Sequence, residues 1–288
     1  MKNRNVSVDL FRFLAALSIM FLHTCWGLDD SLLNAYPIIG IVIGRYPVIL
    51  FFTISGYYCF LQISKGRNAA KTQIRSLLKV YCVWTVVYYL MSFVLNVAAG
   101  YEPVGKFFAE RVLYFFTEGS YPHLWYVVSL IYVMILICLV YELCGEKGIR
   151  ILAAVSMILF MIGVLGTSYL PLGEQIPVLG DFYGWKYYFV FRNIFCLGLP
   201  GVMFGYYIVR LLPVIEKRPK LAETGFFITS VLGMIEGMIV IQKGWISDFP
   251  SMFLMPFVLI FGMSCLIRHP LGQLEKGCRR IFILYIRR

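Results

Sequence analysis

Long apolar runs separated by short polar segments dominate the chain. A helix needs about 20 residues to cross the roughly 30 Å hydrocarbon core of a bilayer, and eight of the runs are about that long. They lie near residues 7–27, 40–62, 78–98, 122–142, 150–170, 188–210, 224–242 and 249–267. The pattern predicts an all-α fold, a polytopic transmembrane helix bundle of about eight spans.

Composition narrows the class of protein. Hydrophobic residues make up 60% of the 288 positions and charged residues only 14%, which is unlike a soluble domain. No soluble segment interrupts the apolar runs, so we predict a single integral membrane domain over residues 1–288. The sequence shows no internal repeat and no glycine-rich phosphate loop, which speaks against repeat-built secondary transporters and NTP-driven pumps.

Charge is distributed unevenly over the predicted loops. Most lysines and arginines fall on one side of the eight-span arrangement. The other side receives Arg45, Lys106, Arg111, Lys186 and Lys243, while Arg12 and Arg192 lie inside spans. The positive-inside rule therefore predicts a multi-pass protein of the cell membrane with both termini in the cytoplasm. Because topology accounts for the net charge of +11, no nucleic-acid partner is expected, whereas the lipid bilayer and a phosphorylated cytoplasmic ligand are compatible partners.

The eight cysteines contain no C-x-x-C pair. Most lie in or beside predicted spans, where cysteine serves as a small apolar residue. We therefore expect neither a disulfide nor a metal site. The first apolar run is long and no small-x-small cleavage site follows it, so it is predicted to remain as a membrane span.

The first span carries Asp9, Arg12 and His23 inside an otherwise apolar run. Arg12 and His23 are eleven positions apart, so on a helix they share a face and lie about 16 Å apart along its axis. Asp9 lies one turn before Arg12 and can pair with it. Ionisable groups inside spans usually face the bundle interior or a water-filled cavity, so this face is a candidate catalytic site. The alternatives are an Arg12 that reaches the cytoplasmic surface and a His23 satisfied by interfacial water.

A cationic stripe lies on the helix that enters the third span. Lys71, Arg75 and Lys79 recur at every fourth position and so share a helix face. Lysine and arginine suit phosphate oxygens, which makes the stripe a candidate site for a nucleotide-like cofactor. Binding of lipid headgroups is the alternative.

Four further residues are candidates for substrate binding. Ser55 adjoins Gly56 in the second span, where small residues equally explain close packing of helices. His123 and Trp125 stand at the predicted outer end of the fourth span, and Trp125 alone fits an interfacial aromatic belt. Arg192 lies within the sixth apolar run and needs a partner or an aqueous cavity.

Several segments occur together in the order typical of one family. They are Arg12 followed after ten residues by His23, FFTISGYY at 51–58, HLWYV at 123–127 and RNIFCLGLPGVMFG at 192–205. With the basic segment before the third span, this set resembles the acyltransferase-3 family of integral membrane acyltransferases, which modify surface glycans and related acceptors. The membrane part of vancomycin-resistance serine racemases is a related architecture and is similar to stretches such as 192–205.

The resemblance implies a cytoplasmic acyl-CoA donor, commonly acetyl-CoA, and an acceptor hydroxyl toward the outer face. His23 corresponds to the family's essential histidine and Arg12 to its partner. Arg75 matches the second arginine of the family's R-x-x-R element, whereas the first falls on Thr72, with Lys71 adjacent to it. The family generally has more spans than the eight predicted here, so the resemblance also implies a short C terminus.

The working hypothesis is a membrane O-acyltransferase. His23 would act as general base on the acceptor hydroxyl, and neutral imidazole is available for this near pH 7. Arg12 would stabilise charge on the acyl oxygen or hold part of the donor. The cationic stripe would contact the phosphates of coenzyme A.

Two alternatives stand beside this hypothesis. The first is a membrane transporter or sensor for a small polar molecule such as serine, with Arg12, Arg192 and Glu236 lining the pathway. Glu236 is the single carboxylate of the seventh span, and it is predicted either to pair with an arginine or to lie near the outer interface. The second is an inactive truncated product.

Overall fold

The described backbone is helical throughout, apart from turns. A computed structural model describes residues 5–25, 46–65, 69–121, 123–245 and 252–269, with only the backbone described at 21–25 and 69–70. No strand occurs in these ranges. The all-α class predicted from the lengths of the apolar runs is confirmed.

Eleven α-helices follow one another along the described residues. They are α1 (Val6–Cys25), α2 (Tyr46–Ile63), α3 (Ala69–Ser92), α4 (Val104–Phe116), α5 (Trp125–Leu165), α6 (Leu170–Gly173), α7 (Pro177–Tyr183), α8 (Tyr188–Phe191), α9 (Leu199–Lys217), α10 (Pro219–Gln242) and α11 (Met255–Arg268). Two π-helical segments complete them. Phe93–Ala98 continues α3, and Arg192–Gly198 joins α8 to α9.

Five helical stretches in the described part of the chain are long and apolar enough to cross a membrane. They are Tyr46–Ile63, Lys71–Ala98, Trp125–Leu165, Tyr188–Lys217 and Pro219–Gln242. The shorter apolar helix α11 occupies most of the eighth predicted span. Parts of the predicted spans at 40–45 and 249–251 lie outside the described residues, so the number of eight spans and the cytoplasmic position of both termini stay predictions.

The predicted fourth and fifth spans are the two arms of α5. Gly145 has φ 57° and ψ −147° and is the one non-helical residue within α5. Glycine adopts a positive φ without the steric cost that a Cβ would add. The polar connection expected between the two spans is therefore a sharp break at Gly145, flanked on both sides by residues that stay helical.

The chain divides into two compact units. Unit 1 comprises Met1–Ile54, Thr167–Leu170 and Phe204–Arg288, and unit 2 comprises Ser55–Gly166 and Pro171–Met203. The single domain predicted over residues 1–288 stays a prediction.

In unit 1, α11 packs against both α10 and α1. The Asn5 side chain accepts a hydrogen bond from the Val8 N–H at 3.2 Å and so caps the start of α1. The same side chain donates to the carbonyls of Leu266 and Ile267 at 3.2 and 2.9 Å, and the Ser7 hydroxyl donates to the carbonyl of the residue that follows α11. The last carbonyls of a helix lack partners within it, so α1 supplies the C-terminal caps of α11.

In unit 2, α3 packs against the first arm of α5, and the π-helical segment Arg192–Gly198 packs against α5 as well. Gly163 permits the second of these contacts, because a Cβ there would lie 2.7 Å from the Cys196 Cβ. Small residues at such crossings let helices approach closely. The segment 99–121, predicted as an outer loop, contains helix α4 instead.

Candidate active site

Arg12 lies on α1 in unit 1, and it does not point into a buried core. Its side chain is 48% exposed, and its Nη1 lies 4.0 Å from Asp9 Oδ1. The predicted pairing of Arg12 with Asp9 is therefore present, although at the longest distance that still counts as an ion pair. A half-exposed guanidinium at this separation keeps donors that a ligand could use.

His23 lies near the end of the same helix, and its side chain is outside the described residues. The α1 backbone is helical from Val6 to Cys25, so the axial separation of about 16 Å between Arg12 and His23 stands. At that separation, Arg12 could hold a part of a substrate that is remote from the end of α1.

The cationic stripe forms an exposed face of α3 in unit 2. Lys71, Arg75 and Lys79 are all exposed, as their spacing predicts. Lys71 Nζ lies 2.6 Å from Glu142 Oε1 on α5. Arg75 and Lys79 make no ion pair with any residue in the described ranges. The face therefore combines one internally paired cation with two whose donors are available to a phosphate.

Ser55 stands beside a close approach of two helices in unit 2. A Cβ at Gly56 would lie 2.0 Å from the carbonyl oxygen of Val202 on α9, so only glycine fits at that position. Ser55 itself is half-buried. Packing explains Gly56, and the substrate-binding role of Ser55 stays a prediction.

His123 lies in an aromatic cluster with two tyrosines. Its ring centroid is 5.0 Å from that of Tyr88 and 5.1 Å from that of Tyr121, in edge-on contacts, and the two tyrosine rings stack at 4.3 Å. Trp84 stacks on Tyr88 at 5.7 Å. Trp125, which begins α5, is half-buried beside this cluster in sequence.

Arg192 begins the π-helical segment of unit 2. Its guanidinium lies over the Phe189 ring at 4.9 Å, and its Nε and Nη2 donate to the Asn193 side chain at 3.4 and 3.3 Å. Asn193 is buried at 3% exposure, so Arg192 secures this side chain. The partners that Arg192 needs within an apolar run are thus the Asn193 amide and the Phe189 ring.

Glu236 has three hydrogen-bond donors that its position in the sequence does not predict. Its carboxylate accepts hydrogen bonds from the Tyr169 hydroxyl at 2.7 Å and from the backbone N–H groups of Phe253 and Leu254 at 3.0 and 3.2 Å. The last two precede α11, so Glu236 caps the start of that helix.

The predicted site residues divide between the two units. Arg12 and His23 belong to unit 1, and the seven other candidates belong to unit 2. Within unit 2 the structure brings Lys71, Arg75 and Lys79 onto one face of α3. Among the described residues, no group of three or more His, Cys, Asp or Glu side chains could hold a metal ion.

Comparison with known proteins adds a family match and several relatives. A family model described as an acyltransferase domain matches residues 5–286. The chain is 28% identical over 283 residues to a serine/alanine racemase of Enterococcus gallinarum and 25% identical over 299 residues to an amino-acid racemase of Enterococcus faecalis. These alignments cover 93% and 99% of this chain but 38% and 41% of the relatives, so the chain spans about two fifths of the length of the curated relatives it matches. No solved structure matches significantly.

Proposed function

The chain belongs to the acyltransferase-3 family, and we propose that it moves an acyl group, commonly acetyl, from cytoplasmic acyl-CoA to a hydroxyl of a cell-surface glycan or a related acceptor. The observation that carries the proposal is the family match, which runs over residues 5–286 and so includes α1 with both Arg12 and His23. The apolar helices make the chain a membrane protein. We place it in the cell membrane by the distribution of its basic residues.

In the proposed reaction, His23 accepts the proton of the acceptor hydroxyl as its oxygen attacks the thioester carbonyl. A C–O bond forms and the C–S bond breaks. Coenzyme A leaves as a thiolate, which takes the proton from the imidazolium of His23. The products are an ester and free coenzyme A, and the histidine returns to its starting state.

Arg12 and the cationic stripe are proposed to bind the donor rather than to react. Arg12 lies about 16 Å along α1 from His23, which suits a contact with a distant part of acyl-CoA. Arg75 and Lys79 carry donors with no ion-pair partner among the described residues, and the phosphates of coenzyme A are chemically matched to them. Lys71 shares its charge with Glu142 and contributes less.

The acceptor is proposed to contact the aromatic cluster of His123, with Trp125, Ser55 and Arg192 as further candidate residues. Rings stack on the apolar faces of sugars, and the imidazole can hydrogen bond to a hydroxyl.

A second candidate function is the handling of serine or a similar amino acid in the membrane. The names of the relatives, a serine/alanine racemase and an amino-acid racemase, favour it. The charge arrangement favours it less. Glu236, a residue that a transport pathway was predicted to use, already accepts three hydrogen bonds from its own chain.

The test is labelling of bacterial membranes that contain the chain with acetyl-CoA radiolabelled in the acetyl group. We expect label in a glycan or another surface acceptor, with free coenzyme A released in equal amount, and no such transfer in membranes that lack the chain. In parallel, vesicles containing the chain are tested for uptake of radiolabelled serine. Serine uptake without acyl transfer, with longer acyl-CoA donors also inactive, would replace the acyltransferase proposal by the transport one.

A further inference from the structure

Helix α4 runs back along the half of α3 that lies away from the cationic stripe. Three contacts establish this antiparallel course. The ring centroids of Phe93 and Phe107 are 5.6 Å apart. The Tyr89 hydroxyl donates a hydrogen bond to the Arg111 carbonyl at 2.5 Å, and the Tyr81 hydroxyl donates one to the Phe115 carbonyl at 2.7 Å. As α4 advances along the chain, its partners on α3 therefore move back toward the basic end at Lys71.

The turn after α4 lies near the middle of α3. The hydroxyls of Thr85 and Ser120 hydrogen bond to each other at 2.7 Å, and both residues are buried. The apolar stretch from Lys71 to Ala98 contains 28 residues and is about 40 Å long. Thr85 lies about 20 Å from either end of this stretch. The turn and His123, whose ring contacts Tyr88, are thus near the mid-length of this stretch of α3.

The length of this stretch leads us to expect the far half of α3 inside the hydrocarbon core as well. If the bilayer covered only Lys71 to Thr85, its core would be about 21 Å thick, well below the roughly 30 Å of a typical bilayer. The exposed side chains of that half also match a lipid environment. Val86, Leu90 and Val94 follow one another at helical spacing with 58%, 64% and 62% exposure.

Charged residues on α4 share this depth with the apolar face of α3. Lys106 pairs with Glu110 at 3.7 Å, and both side chains are exposed, while Arg111 pairs with Glu102 at 3.9 Å. Exposed charges at membrane depth require water. Non-helical backbone is tolerated there only when it is buried in protein or lines an aqueous cavity. In the turn from Thr117 to Tyr121, Ser120 is buried, whereas Glu118 is exposed and needs water.

We propose that α4, the following turn and the first arm of α5 form one broken membrane crossing antiparallel to α3, and that α4 and the turn line a water-filled vestibule, open at the far end of α3 and closed near His123. Phe107 of α4 is buried against Phe93, and Phe108 and Phe116 are exposed as the apolar side chains of α3 are. The Lys106–Glu110 side of α4 faces the water. The vestibule brings a polar ligand from the membrane surface to about half the depth of the bilayer. Stacked Tyr88 and Tyr121, with the imidazole of His123, form its inner end and suit a hydroxyl-bearing sugar. The identity of this ligand rests on the proposed function, whereas the vestibule itself does not.

The vestibule is tested by cysteine accessibility in proteoliposomes. The variants are Glu118→Cys in the turn, Val86→Cys on the lipid-facing side of α3 at the same depth, and Tyr101→Cys beyond the far end of α3 as the water-exposed reference. Each is treated with a charged maleimide, and modification is read for each peptide by mass spectrometry, so that the native cysteines do not interfere. Expected is modification at 118 as complete as at 101, with 86 modified at least tenfold more slowly.

Two results would overturn the vestibule. Modification at 86 as fast as at 101 would mean that this half of α3 lies outside the bilayer, and an unmodified 118 would mean that the turn is dry.

The ligand has its own test in the acyl-transfer assay. His123→Ala is expected to raise the KM for the acceptor about tenfold while the KM for acetyl-CoA is unchanged, with His123→Asn restoring part of the loss; an unchanged acceptor KM would remove the acceptor from the vestibule. If the labelling pattern appears but no acyl transfer occurs, the vestibule stands and the proposed function falls.

Discussion

Two sets of charged side chains in this molecule differ in how their hydrogen bonds are filled. Glu236 in unit 1 is 8% exposed, and its carboxylate accepts three hydrogen bonds from its own chain. On α3 in unit 2, Arg75 and Lys79 are exposed and have no ion-pair partner in the described ranges. The Glu236 carboxylate is satisfied within its own chain, whereas Arg75 and Lys79 keep donors available to a ligand.

Whether a charged side chain is already hydrogen bonded within the chain distinguishes a structural role from a ligand-binding role better than its position in a span does. Both sets lie in long apolar helices, so the sequence pattern treats them alike. A buried carboxylate is retained when donors of the protein satisfy it, because leaving it unpaired would be costly. A cation that keeps its donors directed at solvent is available to an anion.

The largest effect is expected at the proposed general base. His23→Ala should lower acyl transfer by about 10²–10⁴-fold at equal membrane abundance, because proton transfer from the acceptor hydroxyl loses its base. Radiolabel transfer from acetyl-CoA measures it. His269→Ala, which changes an exposed histidine at the end of α11, is the control and should retain activity. Equal activity of the His23→Ala and unaltered chains would remove His23 from the reaction.

The next effect concerns stability. Glu236→Ala should lower the free energy of unfolding by about 3 kcal/mol, because the Tyr169 hydroxyl and two backbone N–H groups lose their acceptor. Thermal unfolding in detergent measures the loss, with exposed Glu216→Ala as the control. Activity per folded molecule should not change. A stable Glu236→Ala variant with altered serine uptake would instead assign Glu236 to a transport pathway.

Packing at Gly56 is expected to matter more than the hydroxyl beside it. Gly56→Ala should destabilise the protein by about 2 kcal/mol, because the new Cβ would overlap the Val202 carbonyl. Ser55→Ala should leave the melting temperature nearly unchanged. Should Ser55→Ala instead raise the KM for the acceptor, Ser55 would be a substrate contact.

Loss of a stripe cation should weaken donor binding. Arg75→Gln is expected to raise the KM for acetyl-CoA about tenfold, which corresponds to one charge-assisted hydrogen bond of about 1.5 kcal/mol. The kcat should stay close to that of the unaltered chain. Lys220→Gln, an exposed lysine on α10, serves as the matched control. An unchanged KM in Arg75→Gln would leave lipid headgroups as the stripe's partner.

The smallest effect is expected at Lys71. Because Glu142 already pairs with its ammonium at 2.6 Å, Lys71→Gln should raise the KM for acetyl-CoA only about twofold. Glu142→Gln should lower the same KM, since it releases the cation. If Lys71→Gln matched Arg75→Gln in effect, the pairing with Glu142 would not decide which cations bind the donor.

The length of the apolar runs and the spacing of the basic residues predict much of the fold. Apolar runs near 20 residues predict helices, and the fourfold spacing of Lys71, Arg75 and Lys79 predicts one exposed face. Helix α4 was missed because its 13 residues are too short to span and contain lysine, glutamate and arginine, a pattern shared by polar loops. Its antiparallel course along α3 is set by contacts that no local spacing encodes.

The partners of Glu236 could not be predicted for a similar reason. One donor lies 67 positions before it and the others 17 and 18 positions after it. Two of these donors are backbone N–H groups, which any residue type supplies. A search for an opposite charge, such as the arginine that the sequence analysis considered, cannot find such partners.

The hydrogen bonds between α1 and α11 also determine when α1 can be stabilised during biosynthesis. Asn5 donates to carbonyls 261 and 262 positions later, so these bonds cannot form until the ribosome has released the end of α11. The helix that carries Arg12 and His23 is thus the first of the described helices to be made and among the last to be secured. A nascent chain stalled before Leu266 would hold α1 in the membrane without these bonds, and maturation of the proposed active site would follow, rather than accompany, translation.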